Sequence, residues 1–289
     1  MTPYLRGQII REYGQTLLVE ADQHVYECFS RKNIATTTVG DYVLIHTSLN
    51  TPVIVERLPR SSILARSDRY HPVKEIAANL TQVMIVLAAA PQTSEIYLDQ
   101  YLCAAELARL PVFIVLNKID LLDDRNAAIR TALDYYKAIG YNVVPISVAQ
   151  QQNLPALTAL LKDQATLMLG VSGVGKSSLL NRLIGGDAAV GDISIANQKG
   201  QHTTSTCSLY HLPFGGEIFD APGIREFHLT AAQKPDLIYG FREFKPYLGH
   251  CKFRNCSHQS DPGCALEQAV LEGTISEARF KNYFRILSA

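Results

Sequence analysis

The sequence lacks an excess of charge of either sign, since 27 Lys and Arg residues balance 27 Asp and Glu residues. The total charge therefore does not by itself point to a nucleic-acid partner. The sequence also lacks an apolar run of the roughly 18 residues that a membrane-spanning helix needs, and polar residues follow Met1 where a signal peptide would begin. We expect a soluble globular protein of the cytoplasm that has no membrane partner.

Disulfides are not expected either, because the six cysteines of a chain in a reducing compartment are more often metal ligands or buried thiols. Cys28, Cys103 and Cys207 lie far apart and are predicted to be buried as small apolar side chains. The other three stand beside a histidine in the pattern Cys251-x4-Cys256-x-His258-x5-Cys264. Three thiolates and one imidazole match a closed structural zinc site, and the alternative is a group of free thiols beside an unrelated histidine.

Three regions of different composition predict a multidomain fold. Residues 1–67 contain five short runs rich in β-branched residues, which favours a small β-barrel of the OB-fold type; an SH3-like or other small barrel is the alternative. Residues 57–70 are polar, basic and interrupted by proline, which predicts a linker. Residues 68–230 alternate strands and helices as in an α/β domain, and residues 231–289 form a mainly helical module with the Cys/His pattern.

The central region has the βαβ alternation of a parallel sheet covered by helices. Strands are predicted at 82–90, 112–116, 142–145 and 165–169, and helices at 98–110, 125–139, 154–162 and 177–184. Residues 209–214 and 217–219 are predicted to form a hairpin through Gly215 and Gly216. Because ligands gather at the carboxyl ends of parallel strands, the polar motifs that follow these strands form the candidate site.

One such motif is a complete G-x-x-x-x-G-K-S phosphate loop between a predicted strand and a predicted helix. Its backbone N–H groups and the positive end of the helix dipole would surround the phosphates. Lys176 would place its ammonium group on the β- and γ-phosphates, and the Ser177 hydroxyl would ligate Mg²⁺. The residues predicted to bind nucleotide here are Gly170, Val171, Ser172, Gly173, Val174, Gly175, Lys176, Ser177 and Ser178.

A second motif, Asn117-Lys118-Ile119-Asp120, follows another predicted strand and indicates guanine as the base. The Asp120 carboxylate would accept hydrogen bonds from guanine N1–H and the exocyclic amine, which adenine does not offer in that arrangement. Asn117 would hold the loop and the purine edge, while Lys118 would pack over the base. Ser147 and Val148 belong to a loop whose backbone would donate to guanine O6. For the tetrapeptide alone, the alternative is a helix-capping turn.

A third motif, Asp220-Ala221-Pro222-Gly223, follows the hairpin strand and fits the D-x-x-G element of GTPases. Asp220 would hold the Mg²⁺ shell, and the Gly223 N–H would meet the γ-phosphate. Residues 199–205 lie between this motif and the phosphate loop and contain two threonines. One of them would complete the Mg²⁺ shell, and Thr204 is favoured over Thr203.

The base reader precedes the phosphate loop, whereas ordinary GTPases have the reverse order, so the chain resembles a circularly permuted GTPase with motif order G4-G5-G1-G2-G3. With a barrel before it and a Cys/His module after it, essentially the whole chain resembles the RsgA family of bacterial small-ribosomal-subunit biogenesis GTPases. The resemblance implies GTP hydrolysis to GDP and phosphate, stimulated by the small subunit, and timed release of the factor. It also implies that the OB-fold and the zinc module contact rRNA, and that the protein binds Mg²⁺ and one structural Zn²⁺. We expect the protein to be a monomer.

The catalytic residues are harder to assign than the binding residues. Ile224 follows Gly223 where a water-orienting Gln is often found, so intrinsic hydrolysis is expected to be slow. His202 is the candidate that positions the water, with Lys176 and Thr204 as the other catalytic residues; alternatively, His202 is a polar loop residue or an RNA contact. Gly173 stands where some GTPases place an asparagine for K⁺, so that device is not predicted.

Basic and aromatic residues surround the Cys/His pattern, which suits RNA backbone contacts and base stacking. They are Lys245, Tyr247, His250, Lys252, Phe253 and Arg254, and packing is the alternative for the two aromatic residues. A last helix is predicted at 274–287, with a capping box from Thr274 to Glu277. It either docks on its own protein or exposes a basic face to RNA with Arg279, Lys281 and Arg285.

Two other functions stay open at the level of sequence. One is an RNA-binding scaffold whose nucleotide site is vestigial or serves as a GTP-gated switch, and the other is a GTPase that acts on another RNA or protein partner. The intact Lys176, Ser177, Asp120 and Asp220 argue against a vestigial site.

Because segment 224–227 leads directly into the C-terminal module, loss of the γ-phosphate is expected to reposition that module.

Overall fold

The computed structural model describes residues 4–31, 34–48, 51–67, 73–91, 93–123, 127–185, 207–221 and 227–289. Most of the described strands belong to an 11-stranded sheet with the order β10-β9-β8-β11-β13-β12-β1-β2-β3-β5-β4. These strands are β1 Tyr4–Tyr13, β2 Thr16–Ala21, β3 His24–Ser30, β4 Tyr42–His46, β5 Val53–Arg57, β8 Gln82–Ala88, β9 Val112–Asn117, β10 Asn142–Pro145, β11 Ala165–Leu169, β12 Ser208–His211 and β13 Glu217–Asp220. A separate two-stranded sheet consists of β6 Ile63–Arg66 and β7 Lys74–Ala78.

The first five strands close into a barrel. β1 pairs antiparallel with both β2 and β4, β2 pairs with β3, and β5 joins β3 to β4. Ile9, Val19, Cys28, Val43 and Ile54 are fully buried inside it. Inward residues alternate with outward residues along β2 and β4, as in a strand with one buried face. The predicted five-stranded OB-type barrel is confirmed.

The predicted linker at 57–70 is wrong in part, because β6 lies within it and pairs antiparallel with β7. Leu64 of β6 is fully buried, so the short strand closes over the core. One of the basic residues in this segment, Arg60, forms ion pairs within the protein. The Arg60 guanidinium donates to Asp41 and Glu75 at 2.7 Å, which ties the hairpin to the barrel.

The central domain continues the sheet with strands that run parallel, except for β12. Its helices are α1 Glu95–Leu107, α2 Ala127–Ala138, α3 Leu154–Leu161 and α4 Lys176–Leu183. Val83, Ile85 and Leu87 of β8 pack in one core with residues of α1 and α2, whereas Met84 and Val86 pack in a second core with residues of α3 and α4. Because successive strand residues point to opposite faces, helices cover both sides of the sheet, as the βαβ pattern predicts.

The barrel and the central domain share a continuous sheet. Strand β1 pairs antiparallel with β12 at Arg11 and Ser208, which are 197 residues apart in the chain. Nothing in the local pattern of either strand predicts this pairing. It places the barrel beside β13, the strand that ends at Asp220.

The C-terminal module is mainly helical, as predicted. It contains the 3₁₀ helices Lys234–Gly240 and Arg242–Tyr247, followed by α5 Ala265–Leu271 and α6 Glu277–Ser288. The module packs on α1 through a buried ionic cluster in which Arg279 of α6 pairs with Asp99 of α1 and with Glu243. Tyr136 of α2 and Asn282 of α6 donate to the Asp99 carboxylate at 2.7 and 2.8 Å.

The predicted cap of the last helix is wrong, and of the two alternatives for its surface the structure supports docking on its own protein. The cap is Ser276, whose hydroxyl accepts from the Arg279 N–H, whereas the Thr274 hydroxyl donates to the carbonyl oxygen of Ala269 at 2.9 Å. Arg279 does not belong to an exposed basic face, because only 1% of its side chain is exposed and both of its charge partners are buried. The helix therefore docks on its own protein along this face. Among the described residues, no helix is both long enough and apolar enough to cross a membrane.

Candidate nucleotide site and zinc centre

The phosphate loop occupies the turn between β11 and α4, at the carboxyl end of a central strand. Two of its glycines are required by their surroundings. A Cβ atom on Gly170 would lie 2.4 Å from the Val86 carbonyl oxygen, and one on Gly175 would lie 2.4 Å from Nδ2 of Asn117. Gly175 also has a φ of +97°, which side chains of L-residues rarely adopt. The loop therefore passes too close to its neighbours to carry side chains at these positions.

The motif expected to read the base contacts the phosphate loop directly. Asn117 Nδ2 donates to the Val174 carbonyl oxygen at 3.0 Å, although the two residues are 57 positions apart. Lys118 adopts a left-handed backbone conformation, with φ 60° and ψ 38°, and its Nζ donates to the Gly173 carbonyl oxygen at 2.7 Å. The structure thus brings the two motifs together at one edge of the sheet.

The next loop completes this corner. The Val148 N–H donates to Asn117 Oδ1 at 3.3 Å, which fixes the amide of Asn117 between two loops. The Ser147 hydroxyl, which is fully buried, donates to Asp120 Oδ1. Asp120 itself lies in a 3₁₀ turn, Ile119–Leu121, at the end of β9. A carboxylate oriented in this way can accept hydrogen bonds from a purine that has an N1–H and an exocyclic amine, whereas the Val148 N–H is already bonded to Asn117.

The other end of the site carries charge of both signs. Lys176 Nζ donates to the carbonyl oxygens of Gly170 and Val171 at 2.6 and 3.0 Å. Burial lowers the pKa of Lys176, and the nearby Asp220 carboxylate opposes that shift. Burial raises the pKa of Asp220, and Lys176 opposes that shift in turn. The two groups are therefore close enough to stabilise each other's charged form.

A divalent cation fits this end of the site. Asp220 Oδ1 is buried and accepts no hydrogen bond from the described residues, so it is a hard oxygen donor without a protein partner there. Ser177 lies in the first turn of α4, beside Lys176, and is exposed. Carboxylate and hydroxyl oxygens of this kind are ligands that Mg²⁺ prefers.

Several residues predicted for the site lie outside the described part of the chain. They are His202, Thr203, Thr204, Pro222, Gly223 and Ile224. The predictions that His202 positions water, that Thr204 binds Mg²⁺ and that Gly223 meets the γ-phosphate therefore stay predictions.

The four predicted zinc ligands form a compact cluster. The Sγ atoms of Cys251, Cys256 and Cys264 and a ring nitrogen of His258 all lie within 4.8 Å of one another. His258 Nδ1 lies 3.6, 3.5 and 3.3 Å from the three sulfur atoms, respectively. Tetrahedral ligands at Zn–S of about 2.3 Å and Zn–N of about 2.0 Å would stand roughly 3.5 Å apart. The donor set and its spacing therefore fit one structural zinc ion.

Neighbouring groups orient these ligands. Asp261 Oδ2 accepts from the Ser257 N–H at 2.7 Å and from the Ser257 hydroxyl at 2.6 Å, which fixes the turn between Cys256 and His258. The Ala265 N–H, at the start of α5, donates to Cys251 Sγ at 3.4 Å. The remaining cysteines, Cys28, Cys103 and Cys207, are buried far from the cluster in sequence, as predicted.

The structure separates the basic and aromatic residues around the cluster. The Tyr247 hydroxyl donates to Thr274 Oγ1 at 2.9 Å, and Lys245 pairs with Glu106, so both make contacts within the protein. Phe253 is 47% exposed, and Lys252 Nζ lies 5.4 Å from the centre of its ring. Of the two aromatic residues, Phe253 has the surface position that stacking on a base requires.

One feature of the site has no signal in the motifs. Ser208 lies directly opposite Asp220 in the β12–β13 pair, and the Arg11 side chain of the barrel donates to its hydroxyl. Arg11 is an ordinary basic residue in a β-strand of the sequence. Only the long-range pairing of β1 with β12 reveals its position.

Comparison with known proteins gives consistent matches. A family model described as RsgA GTPase matches residues 57–230. A small ribosomal subunit biogenesis GTPase RsgA from Chromohalobacter salexigens is 44% identical over 292 residues, covering 99% of this chain and 86% of the relative. The Klebsiella pneumoniae protein of the same name is 43% identical over 295 residues, covering 98% of this chain and 84% of the relative.

Solved structures agree over the whole length. YjeQ from Thermotoga maritima superimposes with a TM-score of 0.73 at 28% identity, covering 99% of this chain and 98% of that one. YloQ, described as a circularly permuted GTPase, gives a TM-score of 0.72 at 28% identity, covering 99% of this chain and 94% of that one. The permuted order of the motifs is therefore confirmed.

Proposed function

Because the chain belongs to the RsgA GTPase family, we propose that its hydrolysis of GTP serves the late maturation of the small ribosomal subunit. The subunit stimulates hydrolysis, and hydrolysis times release of the factor. The observation that supports this most directly is the contact of Asn117 and Lys118 with the phosphate loop. Through this contact the base-reading motif and the phosphate loop adjoin each other, which a GTPase needs and a plain RNA-binding scaffold does not.

Recognition of the nucleotide divides between the two ends of this site. Asp120, oriented by Ser147, accepts from guanine N1–H and the exocyclic amine. Lys176 leaves its carbonyl partners in the loop and moves to the β- and γ-phosphates. Mg²⁺, held from the Asp220 and Ser177 side with Thr204, neutralises charge that develops on the phosphates.

Hydrolysis requires a group that orients water. Ile224 lacks hydrogen-bonding atoms, so His202 takes that role and becomes productive when the small subunit is bound. Intrinsic hydrolysis is accordingly slow, and stimulation by the subunit is large. Both residues lie outside the described part of the chain, so this assignment rests on the sequence.

Contact with rRNA comes from the barrel and from the zinc module. Phe253 offers an exposed ring for stacking, while Lys252 and Arg254, which are exposed beside it, neutralise phosphates. The buried pairing of Arg279 with Asp99 attaches the module to α1. Loss of the γ-phosphate reaches the module through segment 224–227, which leads directly into it.

The test is GTP turnover by the purified protein, which we expect to act as a cytoplasmic monomer, titrated with small ribosomal subunits. Large subunits and tRNA serve as controls, and Lys176→Ala serves as the inactive variant. Strong stimulation by small subunits alone supports the proposal. Equal stimulation by small subunits, large subunits and tRNA would favour a GTPase with another partner, and RNA binding without any turnover would favour a scaffold.

A further inference from the structure

The barrel contacts the strand that leads to the cation end of the site. Arg11 Nε donates to Ser208 Oγ at 2.9 Å, and one of its terminal nitrogens donates to the Tyr210 hydroxyl at 3.0 Å. A second terminal nitrogen donates to the Tyr13 hydroxyl at 2.8 Å, so the guanidinium is held in place by three partners. A side chain bonded in this way transmits the position of β1 to β12.

Ser208 is the register partner of Asp220. In an antiparallel pair, directly opposite residues carry their side chains on the same face, with Cβ atoms about 5 Å apart. One row of the sheet therefore runs from Arg11 through Ser208 to Asp220. The next strand continues this row, because Met168 of β11 pairs with Asp220.

Other barrel contacts fix the remainder of β13. Gln8 Nε2 donates to Glu217 Oε2 at 3.4 Å, at the opposite end of the strand from Asp220. A Cβ atom on Gly40 would lie 2.7 Å from the Phe219 ring, so the barrel backbone is packed tightly against the middle of β13. The barrel thus contacts β13 directly at two points and reaches it at a third through Ser208 of β12.

We propose that Arg11 is a positioning residue for Asp220, and that it couples the barrel to the Mg²⁺ end of the nucleotide site through Ser208. The inference rests on the proposed function only in taking Asp220 as a group that faces Mg²⁺. Asp220 Oδ1 is buried and has no hydrogen-bond partner among the described residues, so its position relative to a cation depends on the strand that carries it. The Arg11–Ser208 contact holds the residue directly opposite Asp220. A partner that moves the barrel would therefore change the affinity for Mg²⁺ with GTP, and not the recognition of guanine.

The experiment measures binding of a fluorescent, non-hydrolysable GTP analogue to the purified chain without ribosomal subunits. Affinity is determined in EDTA and as a function of Mg²⁺ concentration. Arg11→Ala and Ser208→Ala should each raise the Mg²⁺ concentration for half-maximal enhancement by about tenfold, the low end of the effect of removing groups that orient metal ligands. Affinity in EDTA should stay at the wild-type value, because Asp120 and the phosphate loop are untouched.

The matched control is Arg6→Ala. Arg6 also lies in β1 and stacks on the Tyr42 ring at 4.9 Å, on the side of the barrel that faces β4. Its loss perturbs the barrel surface without touching β12, so the Mg²⁺ dependence should not change. Arg11→Ala in an Asp220→Asn background should add no further effect, because the positioned group is gone.

The outcomes separate the proposals. A wild-type chain that binds no GTP analogue would overturn the proposed function itself and, with it, this inference. A wild-type chain with Mg²⁺-dependent binding and an unchanged Arg11→Ala variant would overturn only the role of Arg11. A parallel loss of affinity in EDTA, or an equal shift in Arg6→Ala, would show a general loosening of the barrel and also overturn it. Should Arg11→Ala fail to fold, the smaller Ser208→Ala change decides the question.

Discussion

Asn117 Nδ2 donates to the Val174 carbonyl oxygen, and the Gly175 that follows leaves no space for a Cβ atom beside that amide. The strand end that would read a base is therefore bonded to the turn that would hold phosphates. The separation of these residues along the chain is large, but the parallel sheet puts β9, β8 and β11 side by side. Circular permutation leaves this geometry intact, because the site depends on which strands are neighbours in the sheet. It does not depend on the order in which the chain connects them.

The collision at Gly175 gives a first prediction. Gly175→Ala should weaken GTP binding, because the added methyl group would collide with the Asn117 amide and displace the phosphate loop. Gly185→Ala is the matched control, because Gly185 has φ +95° and a methyl group added there would meet no described atom within 4 Å. Titration calorimetry measures the GTP affinity of both variants, and the difference between them distinguishes the effect of the contact with Asn117 from the effect of backbone strain. Equal losses in the two variants would contradict the argument.

The orientation of Asp120 gives a second prediction. Asp120→Asn should lower GTP affinity about 100-fold, because each hydrogen bond lost to a charged group costs about 1.5–3 kcal/mol. Affinity for xanthosine triphosphate should rise, because the new amide donates where the carboxylate accepted. Asp134→Asn, at a side chain that is 70% exposed, is the control and should change neither affinity. Competition binding with both nucleotides measures the ratio. An unchanged preference for guanine would mean that another residue reads the base.

The Cys/His cluster gives a third prediction. The protein as purified should contain one zinc ion per chain, and Cys256→Ser should lose it, whereas Cys28→Ala in the barrel should retain it. Removal of the ion by a strong chelator should lower the melting temperature, because structural zinc contributes to folding free energy. Elemental analysis and thermal unfolding followed by circular dichroism are the measurements. A Cys256→Ser variant with a full complement of zinc would contradict the ligand assignment.

Glu12 gives a prediction of pH dependence. Burial raises the pKa of Glu12 from 4.5 to about 7, with Asp41 and Glu75 adding to the shift and Lys74 opposing it. Since the folded state holds this proton more tightly, the stabilisation is complete below pH 4.5 and is lost as the pH rises to 7. The loss amounts to at most about 3 kcal/mol, and contact with water reduces it. Glu12→Gln should therefore raise the free energy of unfolding at pH 8 and have little effect at pH 4.5.

Urea unfolding followed by circular dichroism tests this, since the chain has no tryptophan. Glu56→Gln, at an exposed position of β5, is the control. The difference between Glu12→Gln and wild type should grow across the stated pH range, while the difference for Glu56→Gln should stay flat. If the free energy of unfolding of Glu12→Gln and of wild type changed with pH in parallel, the raised pKa of Glu12 would be contradicted.

The buried ionic cluster gives a fifth prediction. Arg279→Ala would leave the carboxylates of Asp99 and Glu243 buried without their counter-ion and should cost about 3–5 kcal/mol of stability. Lys281→Ala, in the same helix, removes an exposed pair with Glu277 and should leave stability almost unchanged, because water screens that pair. Limited proteolysis should also release the C-terminal module sooner from Arg279→Ala. Similar unfolding midpoints for the two variants would show that the cluster is not needed to hold the module.

Motifs and periodicity predicted the parts of the fold that local chemistry determines. The strand that ends at Asn117 is a continuous apolar run before that residue, the strand before Gly170 is apolar except for Thr166, and the Gly215–Gly216 turn joins the predicted hairpin. The zinc ligands are near one another in sequence, so their spacing carries the information. In each case the residues that matter lie within a few positions of one another.

Long-range relationships were not accessible in this way. The segment at 57–70 resembled a linker because its strand is short and its partner, β7, comes after an intervening stretch. Thr274 and Ser276 both offer a hydroxyl near the start of α6, and the spacing to Glu277 favoured the wrong one. Arg279 looked like a surface residue, since its partner Asp99 is 180 positions away. Only tertiary contacts distinguish these cases.

The junction of β1 with β12 has a consequence for how the chain can be divided. A fragment that began after the barrel would expose the outer edge of β12, with free backbone donors and acceptors and no strand to cover them. Such edges recruit other chains, so the isolated fragment would tend to self-associate. In this chain the barrel therefore covers an edge of the sheet that carries the nucleotide site, and it cannot be removed without exposing that edge.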